Sequence, residues 1–260
     1  MGHRLGQQSK ACTRELSEST LRNTLDQGRC PMTQNLAPDA DNPAVHSGFR
    51  SLLSSISGER RLGWKIGINS PNVQRRLGLL GPVLGVLPES TLSKSGVLVS
   101  TGQGVLVLEA ELALKVGKDV SSTVDLPTAA RSVQALAPAF ELLRIDGPLD
   151  IVEDVIAKNS YHAQYAVGQW VSPTCLRSMD DLSLSLRIAE EAERGLDPAL
   201  VVGSPAEIVS FAARFLASAG ERLRAGDMIL CGCLNAPARV RAGQRIEALL
   251  NPVGAIAASI

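Results

Sequence analysis

The sequence predicts an α+β fold with a mostly β core. Three observations carry that prediction. From residue 62 onward the chain reads as short apolar runs separated by turn residues. The helical stretches between them are few and do not alternate regularly with strands, as a parallel α/β sheet would require. The chain also has no internal repeat and no GxGxxG, and Gly102-Gln-Gly104 reads as a turn.

In chain order, a helix is expected over residues 13–27. A loop rich in Pro, Asn and Asp follows over 31–43, long for a compact domain. A second helix is expected over 46–56, ending near Gly58. Residues 1–60 are therefore expected to form an accessory helical and loop region, ahead of a main domain over 61–260. Ser70-Pro71 opens a short helix reaching Leu77. Strands are expected over 97–100, 106–116, 139–145, 182–188, 228–231, 245–250 and 255–260. The last two are joined by the turn Asn251-Pro-Val-Gly254. Helices are expected over 127–136, 151–158 and 205–219. The last of these has Ser204 as N-cap, Pro205 at the first position and Glu207 completing a capping box. Ile208, Phe211, Ala212, Phe215, Leu216 and Ala219 recur at helical spacing, which makes it a packing helix, and Gly220 closes it.

Composition narrows the function classes. With 26 basic and 26 acidic residues interspersed over 260 positions, the net charge is zero, so neither a nucleic-acid nor an acidic-membrane partner is indicated. Five cysteines form no framework at disulfide or zinc spacing. Residues 1–16 lack the apolar core of a secretory signal, and no run of about 18 apolar residues stands out as a membrane span. The expectation is a cytoplasmic protein with reduced thiols.

The informative segment is Val105-Leu-Val-Leu-Glu-Ala-Glu-Leu-Ala-Leu-Lys-Val116. Leu106, Leu108, Ala110, Leu112, Leu114 and Val116 form one apolar face. On a strand Glu109 and Glu111 point the same way, about 7 Å apart at the backbone, whereas on a helix they would diverge by roughly 200°. Two readings stand. The pair, with Lys115, is the wet face of an amphipathic strand, or it is half of an acidic site. Glu141 bears on the choice, because it lies in the apolar run Pro138-Ala-Phe-Glu-Leu-Leu-Arg-Ile145. There an ionised carboxylate needs a partner or takes up a proton. Arg144 is one available partner. Three carboxylates without Cys or His at metal spacing alternatively suit a hard divalent ion, Mg²⁺ or Mn²⁺. Lys65, between apolar neighbours in Gly63-Trp-Lys-Ile-Gly67, is either a snorkelling lysine or a cation for a substrate carboxylate. His162, one of three histidines, closes Asn159-Ser-Tyr-His162 and is either a structural hydrogen-bonder or an acid–base group.

These segments, in this order, resemble the 2-keto-4-pentenoate hydratase and 2-oxo-3-hexenedioate decarboxylase group of the fumarylacetoacetate hydrolase family. The motifs are Gly63-Trp-Lys-Ile-Gly67, Glu109-Ala-Glu111, Pro138-Ala-Phe-Glu141, Ala157-Lys-Asn159 and Leu223-Arg-Ala-Gly-Asp227, and the likeness runs from about residue 62 to the C-terminus. The resemblance implies a rolled, mixed and mostly β sheet, with Mg²⁺ or Mn²⁺ held by Glu109, Glu111 and Glu141. It implies a small 2-oxo acid as substrate, with Lys65, Asn159 and Arg144 contacting it, Lys65 and His162 as catalytic groups, and a homo-oligomeric assembly. Hydration of a 2-keto-4-pentenoate-like acid is the first expectation. Decarboxylation of a 2-oxo dicarboxylate, with Arg144 or Lys158 holding the second carboxylate, is the alternative, and a catalytically silent scaffold subunit is the third. The sequence departs from the group in four places, one of them Gly243-Gln244 where the group has Gly-Asp near the last hairpin. Residues 77–85 carry no acidic side chain, Arg144 stands where the group has Asp, and Ser160-Tyr-His162 replaces a small Ser-containing stretch.

Overall fold

The computed structural model describes Leu36, Asp39, residues 42–99 and residues 101–260. The helix expected over 13–27 and most of the loop after it lie outside the described residues.

Helix α1 (Pro43–Ser55) begins where the Asn42 side chain accepts from the Ala44 amide, with Pro43 supplying a preset φ at the first position. It buries Val45, Phe49 and Leu52. The Phe49 ring meets Phe215 edge-on at 5.1 Å and Trp64 at 6.2 Å, a geometry that suits aromatic quadrupoles. The accessory region expected over 1–60 thus reaches the main core through this helix.

The main sheet is built from β1 (Arg61–Gly67), β2 (Val83–Pro88), β3 (Val105–Val116), β4 (Val133–Ile145), β5 (His162–Val167), β8 (Met228–Cys233) and β9 (Ala238–Arg239). Its order is β2-β1-β8-β3-β4-β5, with β9 on β3. The pairs are antiparallel except β1 with β8, so the sheet is mixed. A second antiparallel sheet follows the order β11-β10-β6-β7, from β6 (Ser183–Ile188), β7 (Arg194–Gly195), β10 (Arg245–Asn251) and β11 (Gly254–Ser259). Helices α2 (Pro71–Leu77), α3 (Leu126–Ser132), α4 (Val152–Ala157) and α5 (Pro205–Ser218) lie between the strands in sequence.

The α+β, mostly β expectation holds, and the two faces of β3 show how the core is divided. Leu108, Ala110, Leu112, Leu114 and Val116 enter the large core with Phe140 and Leu142 of β4 and Phe211 and Phe215 of α5. The opposite face carries Glu109, Glu111 and Ala113 beside Ala137, Ala139 and Glu141 of β4, and the apolar part of it packs with Leu87, Tyr165 and Leu230. Helix α5 has the full capping box, with the Ser204 amide donating to Glu207 Oε2 at 2.7 Å. Residues Pro198–Ser218, which include α5, are long and apolar enough to span a bilayer, contrary to the sequence expectation. More than half of that stretch is buried inside the fold, which makes α5 a core helix.

Three expectations are corrected. The helix placed over 127–136 stops at Ser132, and β4 begins at Val133. Val133 and the residues after it pair along the whole of β3, and that ladder overrides local helical preference. No strand forms over 97–99; Val97 makes a single bridge to Ser259. Strands β1, β2 and β5 and the two-residue strands β7 and β9 were not expected.

Candidate metal centre

Glu109, Glu111 and Glu141 converge because β3 and β4 are in register: Glu109 lies opposite Glu141, and Glu111 opposite Ala139. Cross-strand partners share a face, so alternation brings all three carboxylates to one side. One oxygen from each lies within 4.8 Å of the others. Glu141 is fully buried, Glu111 nearly so, and Glu109 is the partly exposed member.

Two of these carboxylates have one oxygen committed and the other free. Glu141 Oε1 accepts from Lys65 Nζ at 2.5 Å and faces His162 Nδ1 at 2.7 Å, while its Oε2 is buried without a partner. Glu111 Oε2 accepts the Gly232 amide at 2.7 Å, while its Oε1 is likewise orphaned. The Gly232 donor exists because β8 carries an extra residue here. Glu111 pairs with Cys233 and Ala113 with Leu230, and Gly232 takes φ +89° at the resulting bulge. Cys231 and Cys233 are both buried, and Cys233 Sγ donates to the Asn235 carbonyl at 2.7 Å.

The electrostatics follow from burial and neighbours. Burial, then the charge of Glu141, pushes Glu109 up to about 8 and Glu111 well above the carboxylate range. Burial would raise Glu141 too, but the Lys65 charge and the His162 hydrogen bond outweigh it and hold it down at about 2. Burial lowers the His162 pKa against the opposing pull of Glu141. Three carboxylates thus face one lysine. Leaving the excess negative charge buried and unpaired costs several kcal/mol, so protons or a cation must neutralise it. Converging all-oxygen donors with two unsatisfied oxygens fit a hard divalent ion such as Mg²⁺ or Mn²⁺.

The remaining candidates fall in different places. Lys65 is buried on β1 and committed to Glu141. His162 reaches the cluster from the first position of β5, its side chain only 1% exposed. Asn159 places both amide atoms on the Val86 backbone, donating to its carbonyl at 2.8 Å and accepting its amide at 2.9 Å. That staple steadies a left-handed turn in which Asn159, Ser160 and Tyr161 have φ of 53°, 50° and 61°, a backbone that side chains other than Gly resist. Arg144 lies an odd number of residues from Glu141, on the other face of β4, with its guanidinium beside Gly102. Lys158 is half exposed and ion-pairs with Asp146 at 3.7 Å. Sequence reasoning missed two contributors. One is the Gly232 amide, flagged only by a glycine between two cysteines. The other is Thr91, in a short 3₁₀ turn (Glu89–Thr91), whose hydroxyl lies 2.9 Å from His162 Nε2; nothing in the sequence marked it.

A family model described as fumarylacetoacetate (FAA) hydrolase C-terminal matches residues 64–260. The 2-hydroxyhexa-2,4-dienoate hydratase of Comamonas testosteroni is 30% identical over 232 residues, covering 86% of this chain and 88% of its own length. The 4-oxalocrotonate decarboxylase of a Pseudomonas species is 27% identical over 205 residues, covering 78% and 79%. In three dimensions, 4-oxalocrotonate decarboxylase from Pseudomonas putida G7, complexed with magnesium and adipate, aligns over 93% of each chain, with a TM-score of 0.69 and 21% identity.

Proposed function

The chain belongs to the fumarylacetoacetate hydrolase family, and from that premise we propose that it is a divalent-metal-dependent lyase hydrating a short 2-oxo acid of the 2-keto-4-pentenoate type. The observation that carries this reading is the carboxylate trio with two buried, orphaned oxygens. A Mg²⁺ or Mn²⁺ ion bound by Glu109, Glu111 and Glu141 supplies Lewis-acid stabilisation of the negative charge that develops on the substrate's 2-oxo oxygen. The protein's own groups do the rest. Lys65 Nζ keeps Glu141 ionised and offers its other hydrogens to the substrate carboxylate. His162, aimed by Glu141, moves the proton during tautomerisation and addition of water. Asn159 serves by holding the turn that presents His162.

Decarboxylation of a 2-oxo dicarboxylate is the second reading, supported by the likeness to the decarboxylases. It needs a further cation near the cluster. Arg144 lies on the other face of β4 and Lys158 pairs outward with Asp146, which favours hydration.

The test is calorimetric titration of Mn²⁺ into chelator-stripped protein, with and without oxalate as an enolate mimic, followed by turnover of mono- and dicarboxylic 2-oxo acids. Binding strengthened by oxalate and lost in Glu109→Ala, with monocarboxylate turnover, is the expected result. Absence of metal binding in the wild type removes this reading. The protein so purified is expected to be a cytoplasmic homo-oligomer.

A further inference from the structure

In the substrate-free protein both ring nitrogens of His162 have partners. Nδ1 faces Glu141 Oε1 at 2.7 Å and Nε2 lies 2.9 Å from Thr91 Oγ1, with 1% of the side chain exposed. An ionised carboxylate only accepts, so Nδ1 carries a hydrogen and the state of Nε2 is set by its other neighbour. Thr91 suits that task unusually well. Its hydroxyl also lies 2.9 Å from the Pro88 carbonyl, to which it donates. A hydroxyl has one hydrogen and two lone pairs. With the hydrogen on Pro88 O, Thr91 presents a lone pair to Nε2–H; rotated about its C–O bond, it donates to a bare Nε2. Both forms of the ring are therefore held in the same orientation by one rotor, without any movement of heavy atoms. The turn that carries Thr91 is fixed at its base, since Leu92 N donates to Glu89 O and Ser93 N to Tyr165 O on the same strand as His162.

We propose that Thr91 is a positioning residue for His162, its hydroxyl anchoring the ring through Nε2 so that Nδ1 stays directed at Glu141. The proposal rests on the role given to His162 above. Outer partners that hold a metal ligand in place typically change activity by about 10- to 100-fold when removed, and His162 is such a partner of Glu141.

The test compares wild type, Thr91→Val and Thr91→Ser as Mg²⁺-loaded protein. Valine keeps the shape and lacks the hydroxyl; serine restores the hydroxyl. With three histidines in the chain, the ring nitrogen resonances of His162 can be assigned by comparison with His162→Gln. Thr91→Val is expected to shift those resonances and lower kcat about 10- to 100-fold, with KM and Mg²⁺ affinity unchanged, and Thr91→Ser to restore both. Wild-type resonances in Thr91→Val, an unchanged kcat, or a serine variant no better than the valine one overturns the proposal. A wild type that turns over no 2-oxo acid defeats the proposed function instead, and the ring resonances alone then decide the role of Thr91.

Discussion

Glu109 and Glu141 face each other across one strand pair and titrate in opposite directions, because Glu141 owns the only lysine at the cluster among the described residues. Without metal, burial favours the protonated forms of Glu109 and Glu111, while Lys65 favours the ionised form of Glu141. Metal binding must therefore expel protons from the first two, so Mn²⁺ affinity is expected to climb with pH through the Glu109 value of about 8. Titrations in buffers of different ionisation enthalpy count those protons. The same shifts set the stability of the metal-free protein. Carboxyls whose pKa is raised on folding bind protons that the unfolded chain has released, so stability falls as pH rises from the ordinary value of 4.5 through about 8. The thermal shift produced by metal should accordingly be larger at the top of that window than at its foot. A pH-independent shift and no proton release would contradict this account of the cluster.

The elements explain what could be read from the sequence and what could not. The trio was legible because Glu109 and Glu111 sit two apart beside an unbroken apolar face of β3, and Glu141 interrupts an apolar run. Strand β2 was not, since all six of its residues are buried, leaving no alternation, and Gly85 inside it reads as a turn. The structure gives that glycine another reason. A Cβ there would sit 2.3 Å from Asn159 Oδ1 and 2.9 Å from Lys65 Cε. Gly85 is the clearance through which Asn159 clamps Val86 and Lys65 passes to Glu141. Strand β5 was obscured because its first residue, His162, follows three left-handed residues that no propensity predicts. Arg144, read as a possible partner of Glu141, fails by parity along β4, a test available only once the strand is fixed. Gly85→Ala is expected to cost several kcal/mol and remove turnover, because it displaces a buried staple and the lysine together. Gly78→Ala, at φ +68° with open space around it, should cost only about 1 kcal/mol and leave activity intact. Chemical denaturation with a parallel assay separates the two; equal effects would sink the clearance argument.

Across the whole molecule, the large core and the carboxylate face are two sides of one ladder. The side chains that pack against α5 and those that meet at the cluster alternate along β3 and β4. The third wall of the cluster is also sheet, since Glu111 leans on a main-chain amide of β8 at the Gly232 bulge and not on a loop. Such a site has no hinge of its own. A site assembled on mobile loops fails by local melting while its scaffold persists; here the donors cannot part unless the ladder unzips. Heating Mn²⁺-loaded protein should therefore release the ion, followed by its paramagnetic signal, in the same transition in which circular dichroism reports loss of the sheet. Release well below that transition would show that the ligands move independently of the ladder. The catalyst thus keeps its ion for as long as the ladder holds, and forfeits both at a single temperature.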